Sequence, residues 1–215
     1  MSTPALTINP KLVVFDLFGT LICPGIYRHP FRKLLIWARN NGRQPKSSDA
    51  RTIMTTPGSV SDIAYSLGIA APRPLIEEVG NDIAYEIEHT SLYSDVVPTL
   101  QKLVAMKMDI ALCSNLAAPY TGAIARHLAN FSFDLSLSCE VGAVKPEFKI
   151  YEHVIGLTSV SRDEVLFVGD TVGADYTGPI EFGFSALHLN RNSPTASGSI
   201  QNLTEISYLI QKLCE

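Results

Sequence analysis

The chain has 215 residues, with 46% hydrophobic and 18% charged side chains. That is enough apolar material for one ordinary domain, or one domain with a small insertion, and it excludes a disordered chain. The formal charge of −4 argues against a sequence-independent nucleic-acid binder, which needs a basic face.

The opening stretch MSTPALTINPKL has no basic segment followed by a long apolar run, so no secretory signal is expected. No uncharged apolar run approaches the length of a membrane span. Cys23, Cys113, Cys139 and Cys214 form no CxxC pair, which predicts reduced thiols, a packing role for Cys113 and no thiolate metal site. A cytoplasmic protein follows as the expectation, with no membrane or nucleic-acid partner.

In chain order, KLVVF at 11–15 is the first predicted strand, a continuous apolar run of the kind found in central parallel strands. From about 24 to 92 no strand is predicted, only helical patterns. RHPFRKLLIWARNNG ends at Gly42 and SVSDIAYSLG at Gly68, with glycine as the stop. PRPLIEEVGNDIAYEIEHT carries Ile76, Val79, Ile83 and Ile87 on one stripe. Strands are then predicted at 109–113, 133–138, 165–168 and 184–189. Helices alternate with them: 95–107 through Val97, Leu100 and Val104, and 117–129 through Ala117, Tyr120, Ile124 and Leu128. Two more are 147–156 through Phe148, Tyr151 and Ile155, and a last one through Leu203, Ile206, Ile210 and Leu213. This alternation implies a doubly wound α/β sheet. The helical stretch is then an insertion beginning at a strand's carboxyl end, where open parallel sheets bind ligands. The expected division is a core of 1–22 and 93–215 with a helical cap of 23–92.

Polar residues sit at the predicted strand ends. Asp16 lies in FDLFGT, Ser114 and Asn115 in LCSN, Lys145 in GAVKP, and Asp170 and Asp175 in VGDTVGAD. A carboxylate at a strand end is held rigidly yet meets substrate, and can attack phosphorus or carbon to form an ester. Gly19 allows the backbone to turn away from Asp16, and Thr20 can hold that loop. Ser114 offers a hydroxyl to an oxyanion, beside a helix start near Pro119. Lys145, restrained by Pro146, supplies a point charge. Asp16, Asp170 and Asp175 would repel one another unless a hard cation lay between them, and magnesium suits a few carboxylates plus a substrate phosphate.

In order and spacing these motifs resemble the haloacid dehalogenase-like hydrolase superfamily, across nearly the whole chain outside the insertion. The resemblance implies a Rossmann-like parallel-sheet core with an inserted α-helical cap, and Asp16 as nucleophile. It implies Phe18, Ser114, Asn115 and Lys145 at the substrate, with Ser114 and Lys145 catalytic beside Asp16. It further implies Mg2+ bound by Asp16, Asp170 and the backbone carbonyl of Phe18, with Asp175 in support. A phosphorylated metabolite is the expected substrate, for a monomer or homodimer.

Phe18 departs from the phosphatase pattern, in which a second aspartate at this position protonates the leaving oxygen and later deprotonates the attacking water. Losing a positioned acid/base costs about 10² to 10⁴ in rate. Three readings follow. The first is a magnesium-dependent phosphatase-like hydrolase whose leaving groups need no proton, or whose proton carrier comes from water or the cap. Tyr27, Arg28, His29, Arg32 and Lys33 are then candidate cap contacts. The second is a 2-haloacid dehalogenase, a subgroup with an aromatic at this position. Its members work without metal, and they carry serine and asparagine where this chain has Gly169 and Asp170. The third is a binding or regulatory module with weakened catalysis. A phosphonatase would need a Schiff-base lysine in the cap, and none is identified.

Overall fold

The computed structural model of the protein describes residues 8–192 and 199–212. It begins with β1 (Leu12–Phe15), in which every side chain is buried because both faces of the strand are covered. After a short β2 (Ile22–Cys23) come four helices: α1 (Pro30–Asn40), α2 (Asp49–Thr55), α3 (Val60–Ser66) and α4 (Arg73–Glu88). A short β3 (Ser91–Leu92) then pairs antiparallel with β2. The chain continues through α5 (Val96–Ala105), β4 (Asp109–Ser114), a 3₁₀ turn at Ala118–Thr121, α6 (Gly122–Leu128) and β5 (Asp134–Leu137). It proceeds through α7 (Ser138–Val141), α8 (Phe148–Gly156), β6 (Val165–Gly169), a π-helical turn at Val172–Thr177 and α9 (Gly178–Phe182). It closes with β7 (Ser185–Leu189), β8 (Ser199–Ile200) and α10 (Thr204–Gln211).

The sheet order is β5-β4-β1-β6-β7-β8, with every neighbouring pair parallel. Alternation along β1 sends Val13 and Phe15 to one face, where they meet Val96, Leu100 and Leu103 of α5 and Ile206 and Ile210 of α10. Leu12 and Val14 point to the other face, against Ile150, Tyr151 and Val154 of α8 and Phe182 of α9. Helices on both faces make the sheet doubly wound. Because β4 and β6 flank β1, their carboxyl ends come together at the point where the strand order reverses.

The four helices after β2 build a separate apolar cluster, including Leu34, Ala38, Ile63, Val79 and Ile83. Pro30 starts α1 at a position where a missing N–H costs nothing. Ser59 and Asp62 form a capping box on α3. Ala117, from the loop after β4, is buried in the helical cluster, and Tyr120 and Ile87 pack against both clusters. The helices thus sit on the strand ends through a shared apolar seam.

Several expectations need correction. The β2–β3 ribbon lies at the two ends of the stretch predicted as helices alone, and two-residue strands are too short to show a period. In α5 the buried positions are Val96, Thr99, Leu100 and Leu103. Val97 and Val104, expected inside, are 37% and 57% exposed, so the stripe was set one residue out of phase. In α8 Phe148 is 49% exposed while Ile150 and Val154 are buried. The helix expected over 117–129 opens as a 3₁₀ turn. Leu213 and Cys214 lie outside the described residues. Cys23, Cys113 and Cys139 are free thiols, and burial pushes that of Cys113 up to about 12.

Candidate active site

Asp16 directly follows β1, and its N–H donates to Val168 O at 3.0 Å, so the strand geometry of β1 and β6 carries through to the carboxylate. The next residues fold back tightly: Leu21 and Ile22 both donate to Leu17 O, and Gly19 N–H donates to Ile22 O, each at 2.8 Å. Gly19 adopts φ 89°, and a Cβ there would strike the Asp170 carboxylate. Glycine is therefore required by backbone conformation and by close approach together. Phe18 turns out of this loop, half-buried, edge-on to Tyr120 with ring centroids 6.1 Å apart.

Ser114 ends β4 and donates from Oγ to Asp16 Oδ1 at 3.2 Å. Lys145 Nζ donates to the same Oδ1 at 2.7 Å and to Asp175 Oδ1 at 2.6 Å. Its side chain is almost wholly buried. Asn115 holds this lysine from the main chain, accepting from Lys145 N–H at 2.7 Å and donating to Lys145 O at 3.0 Å. The Asn115 carboxamide, expected to meet substrate, is thus engaged in placing Lys145. Asp175 sits in the π-helical turn, and its Oδ2 accepts from Thr171 N–H at 2.9 Å. Asp170 follows β6, exposed, with Thr20 Oγ1 at 3.5 Å and His188 Nε2 donating to its carbonyl oxygen at 3.0 Å. Thr20, expected to brace its own loop, reaches across to Asp170.

Oxygen atoms of Asp16, Asp170 and Asp175 all lie within 4.8 Å of one another. Partial desolvation by the surrounding loops, and then the Asp16 charge, push the Asp170 carboxyl up. Burial pushes Asp175 up to about 6, with Lys145 pulling down and Asp16 adding to the rise. Burial works against the charge on Lys145, but Asp16 and Asp175 more than offset it and hold its pKa above the ordinary value. Three carboxylates against one ammonium leave two negative charges to neutralise. This all-oxygen donor set fits a hard divalent cation better than a soft one.

Two cavities adjoin here. The smaller, about 150 Å³, is lined by Asp16, Ser114, Lys145 and Asp175 among others, and the larger measures about 490 Å³. Phe18 and Asn115 line both. Of the residues expected to reach in from the helices, Tyr27, His29 and Arg32 line the larger cavity. Arg28 and Lys33 instead pair with Asp82, and Lys33 also with Glu78.

Sequence reasoning missed Glu86. It is a buried carboxylate on α4 that accepts from the N–H groups of Arg28 and His29 and from the Tyr120 hydroxyl. His29 has a left-handed backbone, φ 55°. The only sequence signal for Glu86 was an acid beside the apolar stripe of α4.

A strand-end carboxylate, a buried lysine and two further acids at the switch point of a doubly wound sheet mark a candidate catalytic centre in an α/β protein. Residues 10–183 match the family of haloacid dehalogenase-like hydrolases, and the chain belongs to that family. It is 30% identical over 203 residues to a glyceraldehyde 3-phosphate phosphatase of Methanopyrus kandleri, covering 84% of each chain. Its fold is similar to that of a phosphatase of this family from Thermococcus onnurineus, with TM-score 0.63, 19% identity and coverage of 93% and 97%. It is comparably similar to the L-2-haloacid dehalogenase of Xanthobacter autotrophicus, with TM-score 0.62, 20% identity and coverage of 94% and 98%. Among the described residues, no helix is long and apolar enough to cross a membrane.

Proposed function

We propose that the chain is a magnesium-dependent phosphohydrolase of the cytoplasm, acting on a phosphorylated small molecule through an aspartyl-phosphate on Asp16, as a monomer or homodimer. Residues 23–92 serve as a cap over the strand ends. The observation that carries this reading is the three-carboxylate cluster around one buried lysine. A dehalogenase would not need Asp170 there. The phosphatase named among the relatives supports a phosphate ester as substrate.

Both hydrogen bonds to Asp16 from Ser114 and Lys145 fall on Oδ1. Oδ2 accepts none from the described residues and is the oxygen left to attack. Its attack on phosphorus breaks the ester P–O bond, and the electron pair leaves with the alcohol oxygen. Lys145 and Ser114 hold the nucleophile in place and face the phosphoryl oxygens. Asp16, Asp170 and the Phe18 carbonyl would hold magnesium, with Asp175 beside them. Bound there, the ion supplies positive charge for the transferring group. Water then attacks the phosphorus of the acyl phosphate, releasing phosphate and restoring Asp16.

Phe18 can neither give nor take a proton in these steps, so the substrates are those whose leaving group departs unaided, aryl or acyl phosphates. Magnesium-dependent phosphate release from phenyl phosphate, lost with chelator, is the expected result. Absence of release with magnesium present overturns the proposal. Phe18 and the apolar character of the larger cavity favour the dehalogenase as the second reading. It predicts halide release from 2-haloalkanoic acids in the presence of chelator. A binding module predicts neither activity.

A further inference from the structure

We infer that the larger cavity receives the leaving group, and that it selects an apolar aryl alcohol over a polyol or sugar. This rests on the phosphoryl-transfer reading and specifies the substrate class for it. The two adjoining cavities divide the substrate between them. The smaller, with Asp16, Ser114 and Lys145, takes the phosphoryl group. The larger opens from it past Phe18 and has a volume of about 490 Å³, within the usual range for organic ligands, about 300 to 1,000 Å³.

Its walls are Phe18, Phe31, Tyr120, Ile53, Met54 and Leu116. Tyr120 lies edge-on to Phe18 and tilted against Phe31, centroids 6.1 and 6.5 Å apart, so the three rings form one aromatic wall. Glu86 fixes that wall, joining the Tyr120 hydroxyl to the main chain at Arg28 and His29. Three of the buried or half-buried polar groups in the lining are already engaged. Glu86 is paired as described, the Asn115 carboxamide holds Lys145, and the Thr90 hydroxyl donates to Ile87 O at 2.6 Å. The remaining polar lining, Tyr27, His29, Arg32 and the Asp170 of the carboxylate cluster, is solvent-exposed. A polyol buried here would leave hydroxyls without partners and lose their hydration. An aryl body loses nothing polar and gains ring contacts.

The chemistry at Phe18 selects independently for the same class. With no acid at this position the oxygen must leave as an anion. A phenol ionises near pH 10, whereas an alkyl alcohol is closer to water at about 15.7. An aryl oxide therefore departs with its electron pair and takes its proton from solvent afterwards. Phe18 thus acts twice, by withholding the proton donor and by supplying apolar wall, and Phe31 and Met54 are specificity residues.

The test measures kcat/KM on the full chain with magnesium for five compounds: naphthyl, phenyl, benzyl, glycerol and acetyl phosphate. Naphthyl is expected to exceed phenyl phosphate about 10-fold through added apolar contact at a similar leaving-group pKa. Benzyl is expected to exceed glycerol phosphate about 10-fold, although both leave as alkoxides. Met54→Trp, which fills the cavity, should bring the naphthyl-to-phenyl ratio to about 1. A wild-type enzyme that treats naphthyl and phenyl alike, or prefers glycerol to benzyl phosphate, overturns the inference while leaving the phosphohydrolase standing. No phosphate from any of the five, acetyl phosphate included, overturns the phosphohydrolase and the inference with it.

Discussion

Asp49 in the helical insertion and Asp175 in the sheet domain are both buried aspartates, yet their environments drive them in opposite directions. Asp49 faces Arg43, which donates to Oδ2 at 2.8 Å and also to Oδ1, and the Lys46 N–H donates to Oδ2 at 2.9 Å. The hydrogen bonds from Arg43 lower its carboxyl to about 2. Asp82 repeats the pattern: burial alone would raise it, but Lys33 and Arg28 carry it below the ordinary value. Asp175 and Asp170 are raised instead, because desolvation and the nearby Asp16 charge act on both, while Lys145 pairs directly with Asp16 and Asp175 alone. In the insertion Asp49 and Asp82 are matched by their own cations, and Glu86 by two backbone N–H groups and the Tyr120 hydroxyl, as a structural role requires. At the strand ends the acids outnumber the cations. Such an imbalance destabilises a fold unless something else supplies charge, and imbalances of this kind cluster at functional sites.

This contrast can be broken from either side. The largest expected effect comes from the strand ends: Asp16→Asn should lower phosphate release by about 10⁴-fold or more, read by phosphate assay. Wild-type turnover by the variant would remove Asp16 from the chemistry. Next, Phe18→Asp should raise turnover of alkyl phosphates by about 10² or more, since it restores a positioned acid. No gain would mean that Phe18 is not what limits those substrates.

In the insertion, Asp49→Ala should cost about 1.5 to 3 kcal/mol by removing the charged hydrogen bonds from the partly buried Arg43. Faster amide exchange in α1 to α3 would register it, with the sheet strands unaffected if the insertion opens as its own unit. Lowering the pH should do the same more gently. The folded-state pKa of Asp49 is depressed, so its contribution is complete above the ordinary 3.8 and is lost as pH falls toward about 2. The protection of α1 to α3 amides, taken relative to the intrinsic exchange rate at each pH, should therefore fall within that window. The smallest effect is expected at the surface clasp between insertion and sheet domain, where Arg51 Nε and Glu147 Oε1 pair at 2.6 Å. Both side chains are substantially exposed, and Arg51→Ala should shift stability by about 1 kcal/mol or less in thermal unfolding.

The core strands were legible because a strand buried on both faces reads as an unbroken apolar run, as at Leu12–Phe15 and Val165–Gly169. The candidate site residues were legible because short motifs hold them at or after strand ends: Asp16, Ser114, Lys145, Asp170 and Asp175 all meet in one cluster. Helix phase was less secure. Val97 and Val104 mimic a buried stripe, but the tertiary packing of α5 on the sheet chose Val96, Leu100 and Leu103. Asn115 and Glu86 were illegible in their present roles, since each acts through a partner far along the chain, Lys145 and Tyr120.

By itself, then, the amino-acid order determined which carboxylates end the strands and that position 18 bears no proton, since both are local properties of chain chemistry. Only the folded molecule decided which acids share a lysine, which amide is occupied and what shape of cavity lies beyond Phe18. Those depend on distances between segments up to about 150 residues apart, which packing of the insertion on the sheet sets and no local pattern encodes.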